Sequence, residues 1–223
     1  MDWTPLLLTL KLASITTLVL LLISIPIAKW LAYTNVRFKP LIETIVSMPL
    51  VLPPTVLGFY LLLAFSPHSP LGQVLDDWFG LRLAFSFEGL VIASVIYSLP
   101  FMVHPIQSGL TSLPKSLLET SQVMDKSYVS TLIHVELPNI KPSLLTGIVL
   151  SFAHTVGEFG VVLMIGGSIP DRTRVASIAV YNEVEALNYS AAHQYSVVLL
   201  ALAFLVLMTV YLVNGGYLKK FWR

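Results

Sequence analysis

The chain has 223 residues, of which 56% are hydrophobic and only 11% charged, with a formal net charge of +1 and no cysteine. A soluble domain carries roughly 25% charged residues, so a bilayer is the expected solvent. The charge balance excludes the clustered Lys and Arg field that nucleic-acid binding needs, and the missing cysteines exclude disulfides, thiolate metal sites and Cys nucleophiles.

The first apolar run starts behind Asp2 rather than a basic region, and it far exceeds the roughly 7–15 residues of a signal-peptide core, so it is expected to be retained as a span. A helix rises about 1.5 Å per residue and must cross about 30 Å of hydrocarbon, so roughly 20 mostly apolar residues make one crossing. Five stretches qualify: 6–31, 41–65, 89–110, 143–165 and 195–217. None alternates like a lipid-facing barrel strand, and open sheet edges are not tolerated in lipid. The expected fold is an all-α integral membrane protein, one domain over residues 1–223 with five transmembrane helices. A sixth would have to hide in 166–194, but Asp171, Arg172, Arg174, Glu183 and Glu185 keep that stretch from crossing as a lipid-facing helix. A short re-entrant or interfacial turn around 175–181 is the alternative.

Orientation follows from the cations, because short loops rich in Lys and Arg stay in the cytoplasm. Lys29, Arg37 and Lys39 follow the first span, Lys115, Lys126 and Lys141 the third, and Lys219, Lys220 and Arg223 the last. The opposite side holds only Arg82, Arg172 and Arg174, with Lys11 near the outer end of the first span. The N-terminus is therefore expected outside and the C-terminus inside a cytoplasmic membrane. Trp78 and Phe79 outside, with Trp30, Phe221 and Trp222 inside, suit the two aromatic belts.

In the second span Pro49, Pro53 and Pro54 each remove a backbone donor, so an unbroken helix is not expected there. Broken helices persist in membranes where freed carbonyls face protein or water. The prolines read either as a kink that moves with gating or as ordinary packing irregularity.

Between the third and fourth spans, 111–142 turns polar. Leu117, Leu118, Val123, Met124, Tyr128, Val129, Leu132 and Ile133 recur at helical spacing, which predicts one or two short amphipathic helices. Pro138 and Pro142 are expected to stop the helix and hand the chain into the fourth span. A cytoplasmic helix with an apolar face is expected to dock onto another protein.

In the fourth span Gly147, Ser151, His154, Thr155 and Glu158 fall at steps of three and four, along one helical stripe. Polar groups at such depth normally face a bundle interior or a cavity. Hydroxyls of Ser151 and Thr155 can donate to an oxyanion, while Gly157 and Gly160 permit close backbone approach. The same small residues could equally pack helix on helix. Glu158 would repel a divalent anion, so a structural role is expected: accepting from backbone N–H groups, pairing with His154, or sitting at the outer mouth as part of a gate. His68, His104, His134, His154 and His193 show no ligand spacing. No Gly-x-Ser-x-Gly elbow, Walker A loop or His-Glu-x-x-His is present, so no catalytic residue is assigned and energy must come from another chain. A remote alternative makes Glu158 and His154 the acid/base pair of an intramembrane enzyme.

Glu119-Thr120-Ser121, Asp125 and then Leu137-Pro138 with Pro142 keep the spacing of a cytoplasmic signature and so resemble the permease subunits of binding-protein-dependent ABC importers. Those families write Glu-Ala-Ala and place Gly six positions after the Glu, where this chain has Asp125. The run from Ser47 to Leu63, and that from Ser151 to Tyr181 with Gly157-Glu158-Phe159-Gly160 and Ile169-Pro170-x-Arg172-Thr173, are similar to the second and fourth spans of molybdate permeases; the second block is shared with sulfate and tungstate relatives. The resemblance implies a type I importer permease in which Glu119, Thr120, Ser121, Asp125, Leu137 and Pro138 belong to a coupling helix that docks on the ATPase. It implies a homodimer with two ATP-binding cassette subunits, which carry ATP and magnesium, and an extracytoplasmic oxyanion-binding protein. No cofactor is implied on this chain. Tungstate or sulfate/thiosulfate transport is the alternative substrate reading.

Overall fold

The computed structural model describes residues 2–214, the side chains of Gln122, Val213 and Asn214 excepted. Lys219, Lys220, Phe221, Trp222, Arg223 and the end of the last expected span lie outside the described residues.

Among those residues the chain is helical throughout, without strands. Helix α1 (Thr4–Tyr33) matches the first expected span. The second is two helices, α2 (Lys39–Val51) and α3 (Pro54–Phe65), bent by 111°. The cause is local. A residue before proline is pushed to extended backbone; Leu52 (ψ 135°) precedes Pro53, and Pro53 (ψ 133°) precedes Pro54, so helix cannot continue across the pair. Pro54 then opens α3, where its missing N–H costs nothing. A short amphipathic helix, α4 (Pro70–Phe79), capped by Ser69 Oγ accepting from Gly72 N–H at 2.9 Å, leads to α5 (Phe87–Thr111), the third span.

Helices α6 (Lys115–Val123) and α7 (Tyr128–Thr131) follow, then a π turn over Leu132–Glu136 and a last turn α8 (Leu137–Asn139). Here one expectation is corrected: Pro138 does not stop the helix. Proline lacks the N–H and crowds the carbonyl four residues back, and the wider π turn just before it relieves both constraints. The break comes at Ile140 (φ −105°, ψ 19°), and Pro142 sits in the first turn of α9 (Lys141–Gly157).

The fourth span is also broken, which the sequence did not announce. Helix α9 meets α10 (Gly160–Gly166) at 60°. In the 166–194 stretch lies α11 (Ala176–Glu185), ten residues and too short to cross. It is buried through Ala176, Ile178 and Ala179. Helix α12 (Tyr189–Asn214) closes the order with little of its surface buried. Among the described residues three helices are long and apolar enough to cross a membrane, or up to five if each bent pair counts as one span. The chain is a multi-pass membrane protein.

Apolar burial does not drive helices together in lipid, so close packing by small residues and buried hydrogen bonds must. The centre, where α1, α5 and α9 meet, is built that way. A Cβ at Gly109 would stand 2.7 Å from Ser143 Cβ, and one at Gly147 would stand 3.0 Å from Met102 Sδ. Along the bundle the interior is layered. One apolar layer holds Leu12, Leu90, Ala93, Val161 and Ile165, and the other holds Leu20, Ala28, Met102, Ile106 and Leu110. Between them α1 contributes Thr16 and Thr17, α5 contributes Ser94 and Ser98, and α9 contributes Ser151 and Thr155, all buried.

Candidate functional site

The polar layer is where the α9–α10 break falls. Glu158 is the residue at which helical backbone stops (φ −67°, ψ 131°), followed by Phe159 (φ −127°, ψ −60°). The break frees backbone groups that lipid cannot satisfy, and Ser177 of α11 answers by donating its hydroxyl to the Glu158 carbonyl at 2.6 Å. The Glu158 side chain is 4% exposed. The Ser94 hydroxyl is the one side-chain donor set beside the carboxylate, at less than ideal geometry, and among the described residues no cation faces it.

The stripe foreseen on α9 exists, but its members face different surroundings. Thr155 donates its hydroxyl to the Ser151 carbonyl at 2.9 Å, and both residues are sealed against α5. Ser98 Oγ bridges to His154 Nδ1 at 2.8 Å and Thr155 Oγ1 at 3.2 Å. His154 is stacked on Phe101, ring centroids 4.1 Å apart, and tilted on Tyr97 at 4.6 Å. The expected pairing of His154 with Glu158 is therefore corrected: no ion pair or hydrogen bond joins them among the described residues, because Ser98 and two rings hold the imidazole.

A cleft of about 470 Å³ opens here, lined by Pro54, Thr55, Tyr97, His154, Gly157 and Glu158 among others. Pro54 brings the α2–α3 break to the edge of the α9–α10 break. Gly160 permits this, since a Cβ there would stand 2.8 Å from Pro54 Cβ. Gly157, by contrast, has open space where a Cβ would point. Pro53 is exposed beside the break and Pro49 is buried within α2. Nearer the other end of α5, Ser47 Oγ and His104 Nε2 are 3.1 Å apart, and Gln107 Nε2 donates to Glu43 Oε1 at 2.8 Å, which puts a polar seam between α2 and α5. Among the described residues no three His, Asp or Glu side chains converge to hold a metal ion.

The second site is the 115–139 segment. Helix α6 ends in a reverse turn in which Asp125 takes left-handed backbone (φ 51°) and Lys126 N–H bonds Ser121 C=O at 3.1 Å. That pattern is the glycine-type helix terminus, completed with Asp, which tolerates left-handed backbone better than most residues. Ser121 is buried and shares a 2.6 Å hydrogen bond with Thr131 Oγ1, bracing α6 on α7. Glu119 is exposed, and Thr120, also exposed, returns its hydroxyl to the Ser116 carbonyl at 2.7 Å. Leu137 is half-buried beneath them and Pro138 exposed. The outer face is apolar: Val123 is 85% exposed, with Met124, Tyr128, Val129 and Ile133 also exposed.

Two residues here escaped the sequence reading. Lys29 counted only as an orienting cation and Glu136 not at all, yet Lys29 Nζ and Glu136 Oε2 stand 2.8 Å apart, 3% and 2% exposed. Ser94, Tyr97 and Ser98 were also passed over. Ser94 and Ser98 recur at i, i+4 within an apolar span, a signal of a polar face that was available.

Over residues 12–223 the chain matches the family of binding-protein-dependent transport system inner membrane components. The chain belongs to this family. It is 48% identical over 205 residues to the molybdenum transport system permease protein ModB of Azotobacter vinelandii, covering 92% of this chain and 90% of the relative. It is 32% identical to the putative molybdenum transport system permease protein YvgM of Bacillus subtilis, covering 93% and 92%. It is 31% identical to the sulfate transport system permease protein CysT of Salmonella typhimurium, covering 79% and 64%. Among solved structures, a bacterial ABC transporter that imports alginate superposes with a TM-score of 0.77 at 16% identity, over 95% of this chain and 78% of that one. The methionine ABC transporter MetNI gives 0.73 at 16% identity, over 95% and 94%. The fold is that of an ABC importer permease subunit, as the signature residues implied.

Proposed function

We propose that this chain is the permease subunit of an ATP-driven importer for molybdate. The observation that carries the reading is the 48% identity, spread over nearly the full length of both chains, with a molybdenum permease. The likeness to sulfate permeases is weaker and shorter. Two copies would form the passage, two ATP-binding cassette subunits holding ATP and magnesium would bind inside, and an oxyanion-binding protein would deliver substrate outside. The N-terminus would be outside and the 115–139 segment cytoplasmic, a reading supported by the Lys and Arg asymmetry.

In this account the apolar face of Val123, Met124, Tyr128, Val129 and Ile133 seats on the ATPase, and nucleotide-driven closure draws the two segments of the dimer together. The breaks at Pro53-Pro54 and at Glu158 touch through Gly160, so α3 and α10 move against a common point and open or close the cleft beside Glu158. Ser151 and Thr155 are sealed from the cleft, so the groups that suit a tetrahedral oxyanion passing without covalent chemistry are those lining it, Thr55, Tyr97 and His154. An intramembrane acid/base enzyme is disfavoured because Ser98, and not Glu158, holds His154.

Uptake of labelled molybdate into vesicles holding the complete complex tests the reading. Molybdate accumulation that needs ATP and survives excess sulfate is expected. Accumulation of sulfate or tungstate in preference, or uptake indifferent to ATP, would overturn it.

A further inference from the structure

The 115–139 segment is rigid within itself. Asp125 closes its turn, Ser121 and Thr131 clamp its helices, and Ser127 Oγ caps α7 by accepting from Ser130 N–H at 3.2 Å. Its covalent route into α9 is not one continuous helix, because it passes through a π turn and then the non-helical Ile140, where the helical direction breaks. A displacement of the segment would be absorbed at that junction unless something else carried it into the bundle.

Lys29 is placed to carry it. It lies near the inner end of α1, the helix packed centrally against both α5 and α9, and it grips the segment at two points, at the start of α7 and at the last residue of the π turn. Its ammonium is 2.8 Å from Glu136 Oε2 and 3.5 Å from the Tyr128 ring centroid, and it donates to the Tyr128 carbonyl at 3.5 Å. At the end of the same helix, Tyr33 donates its hydroxyl to the Leu110 carbonyl of α5 at 3.3 Å. A buried ion pair often contributes little net stability compared with well-packed apolar residues, but breaking it on one side is strongly unfavourable. Such a pair holds a position better than it stabilises a fold.

We propose that the Lys29–Glu136 pair, with Tyr128 over the ammonium, is the strut that transmits movement of the ATPase-facing segment into α1 and so into the bundle. Lys29 and Glu136 are positioning residues that touch neither substrate nor nucleotide. The proposal rests on the reading of 115–139 as the ATPase contact.

The test uses the complete importer in proteoliposomes. Lys29→Met with Glu136→Leu removes both charges and keeps apolar volume. Assembly is followed by size exclusion, and ATP hydrolysis is measured with and without substrate-loaded binding protein. The expected result is an assembled complex that retains basal hydrolysis while stimulation by the binding protein falls about tenfold, whereas Lys29→Arg alone, which keeps the charge, retains much of the native stimulation. Stimulation at the native level in the assembled apolar pair would overturn the strut. Should that pair fail to assemble, Glu136→Gln decides, since it keeps the side chain's shape and removes the charge that holds Lys29: a loss of stimulation supports the strut and unchanged stimulation overturns it. Failure of the native chain itself to co-purify with a nucleotide-hydrolysing partner would instead sink the reading on which the strut rests.

Discussion

Glu136 and Glu158 are both almost sealed from solvent, yet they stand in opposite situations. Glu136 has a lysine at 2.8 Å, equally buried, and sits in a helical turn that continues past it. Glu158 has no cation beside it, only the neutral Ser94 hydroxyl, and sits where the helix stops, lining a cleft. Burial alone therefore says little about a carboxylate's role. A charge matched inside the chain is a structural linkage, and one left open in a cleft is available to whatever enters or moves there.

The contrast is broken most severely at the paired glutamate. Lys29→Ala leaves Glu136 buried without its counter-charge, and a loss of about 3–5 kcal/mol is expected, seen as aggregation or poor extraction of the protein on purification. Replacing both partners, Lys29→Met with Glu136→Leu, is expected to return stability to within about 1 kcal/mol of native or above it, because apolar isosteres replace buried pairs at little cost; thermal unfolding in detergent measures this, and a double variant as unstable as the single one would refute the pairing argument.

At the unpaired glutamate the effects are smaller. Ser177→Ala strips the donor from the Glu158 carbonyl and should lower stability by about 1–2 kcal/mol, read as a lower melting temperature. Glu158→Gln keeps shape and an oxygen beside the Ser94 hydroxyl, and should move the melting temperature by the equivalent of under about 1 kcal/mol, since no counter-charge is lost. Its consequence is expected in transport, where initial molybdate uptake drops about tenfold, on the order of 1.4 kcal/mol in the barrier. A stability loss as large as that of Lys29→Ala would show that Glu158 has a hidden partner and would erase the contrast. The smallest effect is a gain: Asp125→Gly relieves left-handed backbone in the segment that carries Glu136 and should raise stability by about 0.5 kcal/mol.

Composition and periodicity sufficed for the membrane assignment, five apolar stretches and the amphipathic 115–139 segment, because hydrocarbon thickness and helical pitch are fixed lengths that a one-dimensional pattern can be compared with. The proline pair in the second span announced its own break, since a proline restricts the residue before it whatever surrounds the chain. No such marker stood at Glu158: two nearby glycines permit a bend, and Ser177, arriving from nineteen residues further on, donates to the freed carbonyl. Pro138 misled for the converse reason, because a local π turn absorbed what proline alone would forbid. The spacing on α9 placed Ser151, His154, Thr155 and Glu158 on one stripe, but which of them meet a cleft and which are sealed by α5 depended on the neighbour's serines. Lys29 and Glu136 are 107 positions apart in the chain. Their meeting belongs to the tertiary structure alone, because buried charge selects its partner by proximity in space, and no local rule of spacing records it.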